Sequence, residues 1–443
     1  MKRTIIIAVA LLMSASLACP LLAQETGEAG KMLGGLLDAG VGASIIDGEL
    51  YYRIKMKPEI SFGKLGVGIE LDLLLDGKTG KVRKVEWNEK RDYAKIIRFI
   101  RYGAKHERIY ARIGALDAAT LGHGFIMYRY SNQIDDNNRK IGLQFDLNFK
   151  GYGFETVTSN LGRKEILGFR SYVRPLILAK KEIPFLKRLA FGFSSVADFD
   201  PDCKKDTKYD QITVTGLDAE LPLINWTYFY SALYADWAHI KGFGSGAAAG
   251  LGVELKGIMN LFEFSGRLET RNLGSEFLPS YFNAFYERER YDPFNPSRPF
   301  KSMLLSERKE KKSGYFAEIV GTVLNTIKVC GNYQRYNKGL GGLLHLEAEP
   351  PPNIIRKASV KAYYDQTDIH HAKEIFKPKK LENTLVTVEA GYEVTKYLFL
   401  IVTYQRTYVW TDKDEKGNDL TPLGYQYRSV EKISPRLECR FRF

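Results

Sequence analysis

Ile433-Ser434-Pro435-Arg436-Leu437-Glu438-Cys439-Arg440-Phe441-Arg442-Phe443 ends the sequence, and its alternate positions suit two different solvents. Ile433, Pro435, Leu437, Cys439, Phe441 and Phe443 share one face of an extended strand. Ser434, Arg436, Glu438, Arg440 and Arg442 share the other, because successive side chains point to opposite sides. A soluble sandwich would bury the apolar face in a core, whereas a barrel wall in a membrane needs lipid on one side and water on the other. The stretch predicts a transmembrane strand.

The same code recurs upstream. Leu65, Val67, Ile69, Leu71, Leu73 and Leu75 stand opposite Glu70 and Asp72. Ile141, Leu143, Phe145, Leu147 and Phe149 stand opposite Lys140, Gln144, Asp146, Asn148 and Lys150. Phe262, Phe264 and Leu268 oppose Glu263, Arg267, Glu269 and Arg271, while Val386, Val388, Ala390, Tyr392 and Val394 oppose Glu389 and Glu393. One such segment is weak evidence; repetition makes it the signature of a membrane barrel. Ile96 to Tyr102 departs from the code, with Arg98 and Arg101 falling on both faces.

Tight links near Ser61–Lys64, Ala104–Lys105, Lys150–Gly151, Pro222–Ile224, Gly257–Met259, Leu324–Asn325 and Thr395–Lys396 alternate with longer ones. The longer links lie near Gly77–Asp92, Asp117–Asn138, Phe199–Asp210, Asn272–Lys312, Ile369–Asn383 and Thr411–Gly424. Outer-membrane barrels keep periplasmic turns short and external loops long. The expectation is an all-β, antiparallel up-and-down barrel of about 18–20 strands, an even number from about 16 to 20. Asp47-Gly48 predicts a tight hairpin near its start. Val173 to Leu186 is a long exception on the short-turn side. Tyr51, Tyr52, Trp226, Tyr228, Tyr230, Tyr408 and Trp410 sit near strand ends, where interfacial girdles or plain strand propensity both place them.

Lys2 and Arg3, an apolar Ile5–Met13 and small residues after it have the layout of a secretory signal. The expected division is a signal over 1–23, a short periplasmic or lumenal segment over 24–37, and a barrel over 38–443. Ser16-Leu17-Ala18-Cys19 is a poor lipobox, with serine in place of the preferred leucine and Pro20 after the cysteine. Phe443 closing an alternating strand resembles the assembly signal of bacterial outer-membrane proteins, and signal, strand code and final residue together resemble Gram-negative outer-membrane β-barrels of the porin type. That resemblance implies the outer membrane of a Gram-negative-type bacterium, contact with its lipid and lipopolysaccharide, and capture of Phe443 by the barrel-assembly machinery.

Charge and cysteine narrow the classes further. The net charge of +13 comes from basic residues spread over many strands, not gathered in one tract, so nucleic acid is not indicated. Acidic lipid head groups or an anion-favouring lumen account for it. Past Cys19, an odd set remains, Cys203, Cys330 and Cys439, which argues against a complete disulfide framework. Gly63–Gly68 and Gly242–Gly252 lack the strand-to-helix context of a phosphate loop, so no cofactor is expected.

Two long loops are too apolar and aromatic to hang in water. Leu121 to Asn132 contains His123, Tyr128, Arg129 and Tyr130; Phe277 to Met303 contains Arg288, Arg290 and Arg298 among seven rings, from Tyr281 to Phe300. Either could fold inward as a constriction, or the loops could knit together over the barrel. Arginine beside tyrosine would offer sites for anionic or sugar-like solutes. The candidate pore lining is Arg436, Glu438, Arg440, Arg442, Glu263, Arg267, Glu269, Arg271, Lys140, Gln144, Asp146, Asn148, Glu389 and Glu393.

Catalytic and metal signals are poor. Asp198, Asp200, Asp202 and Asp206 have calcium-loop spacing, but Cys203 and Tyr209 stand where glycine and a bidentate acid belong. His370 and His371 point apart if extended, and no cysteine pair supports zinc. His123 with Ser131 is the nearest hydrolase-like pair. Passive, porin-like passage of small solutes is the leading expectation, with a non-conducting structural barrel or adhesin, its lumen closed by salt bridges, as the alternative.

Overall fold

The computed structural model describes residues 33–46, 49–82, 96–105, 107–133, 140–201, 211–258, 262–284, 286–290, 300–306, 308–323, 327–337, 341–349, 357–375, 384–395, 398–411 and 426–442. The expected signal, the lipobox, Asp47-Gly48 and Phe443 lie outside them. The first strands are β1 (Leu33–Ile46), β2 (Glu49–Phe62), β3 (Leu65–Ile69), β4 (Leu71–Asp76), β5 (Ile97–Tyr102), β6 (Ile109–Gly114) and β7 (Gly142–Asn148). Next come β8 (Tyr152–Thr158), β9 (Ile166–Val173), β10 (Ala190–Asp198), β11 (Ile212–Asn225), β12 (Phe229–Ile240), β13 (Ser245–Ile258) and β14 (Phe262–Leu273). The last are β15 (Lys312–Val323), β16 (Ile327–Tyr336), β17 (Gly342–Glu349), β18 (Ala358–Ile369), β19 (Thr384–Thr395), β20 (Leu398–Thr411) and β21 (Gln426–Arg442).

All pairings between these strands are antiparallel, and each strand pairs with its sequence neighbours around one sheet of 21 strands. The exception is β3 and β4, consecutive pieces of one crossing that both pair with β2, so the wall has 20 crossings. At the seam β21 pairs with β1, Leu37 opposite Phe441 and Val41 opposite Leu437, so first and last strands are hydrogen-bonded neighbours. Among the described residues no helix is long and apolar enough to cross a membrane.

Exposure runs opposite to that of a soluble protein. On β14 Leu268 is 59% exposed while its neighbour Glu269 is 2% exposed; on β12 Leu233 and Trp237 are exposed while Asp236 is buried. Leu217, Leu251, Tyr315, Tyr392 and Ile433 continue the outward apolar belt around the wall, and Asp146, Arg170, Asp218 and Arg271 are buried on the inner face. A wall with its hydrocarbon outside and its charge inside satisfies every backbone group without an edge and is stable only in lipid. The chain is a transmembrane β-barrel of the outer-membrane kind.

Two expectations need correction, and one irregularity finds its cause. Pro222 and Ile224 form a register shift inside β11, not a turn; the chain turns at 226–228. Proline has no N–H to give the ladder, so the strand steps over it with an irregularity and continues to Asn225. In β5, two residues oppose one of β3 between Gly68 and Ile69. That bulge resets the alternation and explains the two arginines: Arg98 reaches Glu70 at 3.6 Å and Asp117 at 3.2 Å, while Arg101 stays opposite Gly66. Finally, β1 begins at Leu33, so residues 33–37 pair in the wall with 58–62 of β2.

Candidate functional site

The described part of the connection after β6, residues 115–133, does not project away from the barrel. Leu116 and Asn132 close its base, the Leu116 N–H donating to Asn132 Oδ1 at 2.8 Å, and Ala119 and Tyr130 exchange backbone hydrogen bonds at 2.8 Å. Gly122 and Gly124, both at positive φ, bend the tip. The tip then meets the segment after β14: Met127 and Phe282 form a parallel bridge, and Ser280 N–H donates to Phe125 O at 2.7 Å. Leu121, Phe125, Ile126 and Met127 pack with Phe277, Tyr281, Phe282 and Tyr286 against inner-wall Val157, Val196, Val214 and Ile240. Apolar side chains that water would reject therefore find a core within the barrel at its long-loop end.

His123 anchors that tip to the inner wall at β11 and β12. Its Nδ1 lies 3.1 Å from Asp236 Oδ1 and its Nε2 lies 3.1 Å from Glu220 Oε2, with the ring stacked on Tyr234 at 4.2 Å. Arg267 donates to the His123 carbonyl. Burial works against the imidazolium, but Asp236 and Glu220 outweigh it and raise the His123 pKa to about 10. His123 is therefore a cation at neutral pH. Its ring is not paired with Ser131, whose hydroxyl instead accepts from the Gln133 N–H at 3.2 Å.

A second ionic cluster holds the short helix Tyr286–Glu289. Arg290 Nη1 donates to Glu165 at 3.0 Å and Glu287 at 3.1 Å, and Nη2 to Asp198 at 3.0 Å. Lys140 reaches Glu287 at 2.5 Å and also pairs with Glu165; Tyr130 donates to Glu287 and Tyr286 to Asp198 at 2.8 Å. Although burial opposes ionisation, Lys140 and Arg290 bring the Glu165 pKa down to about 2. Burial raises the Tyr130 pKa above its usual value, and the Glu287 carboxylate adds to the rise. Asp198 and Asp200, two of the calcium-loop candidates, are committed here: Asp200 Oδ2 accepts from Arg163 at 2.7 Å, and its carbonyl accepts from Arg290. Asp202 and Asp206 lie outside the described residues.

The inner wall carries the remaining pairs. Arg170 makes a two-pronged contact with Asp218 (2.9 and 2.6 Å) and a third with Glu155 at 2.7 Å. Arg271 bonds Glu269 at 2.7 Å, Arg267 lies 3.2 Å from Glu318, and both guanidiniums sit over the Phe316 ring, with Arg267 also over Tyr128. Arg129, from the folded-in loop, donates to Cys330 Sγ at 3.3 Å.

The sequence-derived candidates distribute as follows. Lys140, Tyr128, Arg129, Tyr130, His123, Arg290, Arg267, Glu269 and Arg271 meet in these clusters. Gln144 is buried, Asp146 lies 3.5 Å from Lys105, and Asn148 accepts from Tyr172 at 2.7 Å. Glu263 is exposed; Glu389 and Glu393 are half-buried, Glu389 accepting from Thr403 at 3.5 Å. Arg436, Glu438, Arg440 and Arg442 stand on β21 opposite Gly42, Gly40, Asp38 and Leu36. Their side chains, and that of Arg288, lie outside the described part, as does all of Arg298. Sequence reasoning missed Arg170, Asp218, Glu220 and Asp236. The signal was there, since Leu217-Asp218-Ala219-Glu220-Leu221 alternates as plainly as the segments chosen.

No family model matches the chain, and no curated protein matches it. Solved structures with similarity include OccAB3 of Acinetobacter baumannii, at 10% identity over 93% of this chain and 99% of that one, TM-score 0.33. A BenF-like porin from Pseudomonas fluorescens Pf-5 is similar at 10% identity over 93% and 97%, TM-score 0.35. OccK1 (OpdK) of Pseudomonas aeruginosa is similar at 9% identity over 93% and 98%, TM-score 0.34. The barrel assignment itself rests on the antiparallel strand circuit and on the apolar belt that faces outward from it.

Proposed function

We propose that the barrel is an outer-membrane channel for passive passage of small solutes, narrowed by the loop 117–133 and by residues 274–284 and 286–290 after β14. A wall of this strand number encloses more room than inner side chains alone fill. The observation that carries the reading is the seating of the loop tip on the inner wall at β11 and β12 through His123, Asp236 and Glu220. An element seated there would narrow the interior beside Arg267 and Arg271 of β14, where Tyr128 of the loop lies under the Arg267 guanidinium. Solutes with carboxylate or phosphate groups fit arginine beside aromatic rings, and Arg436, Arg440 and Arg442 would extend that preference along β21.

Purified protein in planar bilayers should give stable ion-passing steps, and the reversal potential in a salt gradient should report anion preference. Replacing Arg436, Arg440 and Arg442 together by glutamine should reduce that preference; unchanged selectivity removes them from the lining. A second reading has its own support. Arg170, Arg267, Arg271 and Arg290 are each already paired with carboxylates, as in a scaffold whose lumen is closed by ion pairs. A correctly inserted barrel that stays electrically silent would favour that scaffold.

A further inference from the structure

Cys330 on β16 stands directly opposite Glu347 on β17, and His345 lies two positions before Glu347 on the same face. One ligand atom from each of Cys330, His345 and Glu347 lies within 4.8 Å of the others. The cysteine is buried and free of disulfide, while His345 and Glu347 are half-buried, so the group opens on the interior side. Leu346, between them, is exposed on the outer belt.

We infer that Cys330, His345 and Glu347 form a binding site for a divalent transition metal of the zinc class. Thiolate, imidazole and carboxylate together suit zinc rather than magnesium or calcium, which take oxygen donors. The fourth position is left to water or a solute. Asp365, opposite His345 in the register, strengthens the assignment: its Oδ1 lies 2.6 Å from His345 Nδ1. A carboxylate on one ring nitrogen orients the imidazole and leaves Nε2 as the electron-pair donor, the usual arrangement behind a metal-bound histidine. Charge also balances. A Cys330 thiolate with Glu347 and Asp365 carries three negative charges, Arg129 beside the sulfur supplies one positive charge, and a divalent ion supplies the rest.

The test uses full-length protein in detergent, stripped with a chelator and titrated with Co²⁺ alone. One equivalent should produce a sulfur-to-cobalt charge-transfer band in the near ultraviolet, which Zn²⁺ then displaces. The band should vanish in Cys330→Ser and in His345→Ala, and Asp365→Asn should weaken binding by about 10–100-fold. It should survive in the Cys203→Ser/Cys439→Ser double variant. Circular dichroism confirms that each variant retains its sheet. As an independent readout on the unmodified protein, Zn²⁺ should protect Cys330 from alkylation mapped by mass spectrometry. No band in the wild type, a band that persists in Cys330→Ser, or alkylation indifferent to Zn²⁺ would overturn the site. None of these readouts depends on whether the barrel conducts.

Discussion

His123 Nδ1 lies 3.1 Å from Asp236 Oδ1, and this contact joins residues 113 apart in the chain, one on the loop after β6 and one on the inner face of β12. Through it the loop tip is held against the inner wall. The same imidazole holds Glu220 of β11, so the loop tip is tied to two adjacent strands at once.

That tie should depend on pH. The His123 pKa is raised from about 6.5 in an unfolded chain to about 10 in place, so its stabilising contribution is complete below the lower value. The contribution declines as pH rises between the two and is gone above about 10. Protease cutting within 117–133, followed from neutral to alkaline pH, should therefore rise in the wild type. His123→Gln should be cut readily at every pH, with the difference between the two proteins shrinking toward alkaline conditions.

Arg290 neutralises three acids at once, Glu165, Glu287 and Asp198. Arg290→Met leaves those carboxylates in a buried cluster with Lys140, and docking of the helix Tyr286–Glu289 should weaken by on the order of 3 kcal/mol. Limited trypsin digestion at Arg288 and Lys301 should show faster cleavage while the barrel itself stays folded. Cleavage at the wild-type rate would mean that the apolar packing alone holds the segment.

Leu268 and Glu269 offer a direct test of which side faces lipid. Leu268→Arg on the outer belt should destabilise the inserted barrel by about 2–4 kcal/mol in urea unfolding from vesicles, because a charge there enters hydrocarbon. A surface position on a soluble protein would tolerate the same change within about 0.5 kcal/mol. A negligible effect would remove the lipid contact from this strand.

Gly114 has φ +120°, and a Cβ there would lie 2.2 Å from the Arg98 carbonyl oxygen on β5. Gly114→Ala combines backbone strain with a clash against main chain that cannot rotate away, at a cost of at least about 2 kcal/mol. The yield of folded, detergent-resistant barrel should fall. Gly242→Ala has no neighbour to meet and should fold far better, although its φ is also positive.

Much of the architecture was legible because a barrel wall is a local code. Whether a side chain meets oil or water is decided two residues at a time, so Leu268 against Glu269 and Leu143 against Gln144 could be read without knowing any strand partner. The packed core under the loop 121–132 was legible as a misfit, since those residues are too apolar for water. Pro222 misled because a breaker signal was read as a turn, when the ladder had room to step past a missing N–H. Arg98 and Arg101 resisted reading because a bulge changes the count of residues per step, and a sequence carries no mark of it.

The sequence by itself therefore determined the antiparallel barrel, the side of it that meets lipid and the end that bears the long loops. Each of those follows from the period of hydrophobicity and the spacing of turns along one segment. Only the tertiary structure decided that His123 meets Asp236, that Arg290 gathers Glu165 and Asp198, and that Cys330 stands beside His345 and Glu347. Those meetings depend on strand register and on loops crossing between distant strands, where burial of charge leaves few stable partners and the chain interval between them is arbitrary.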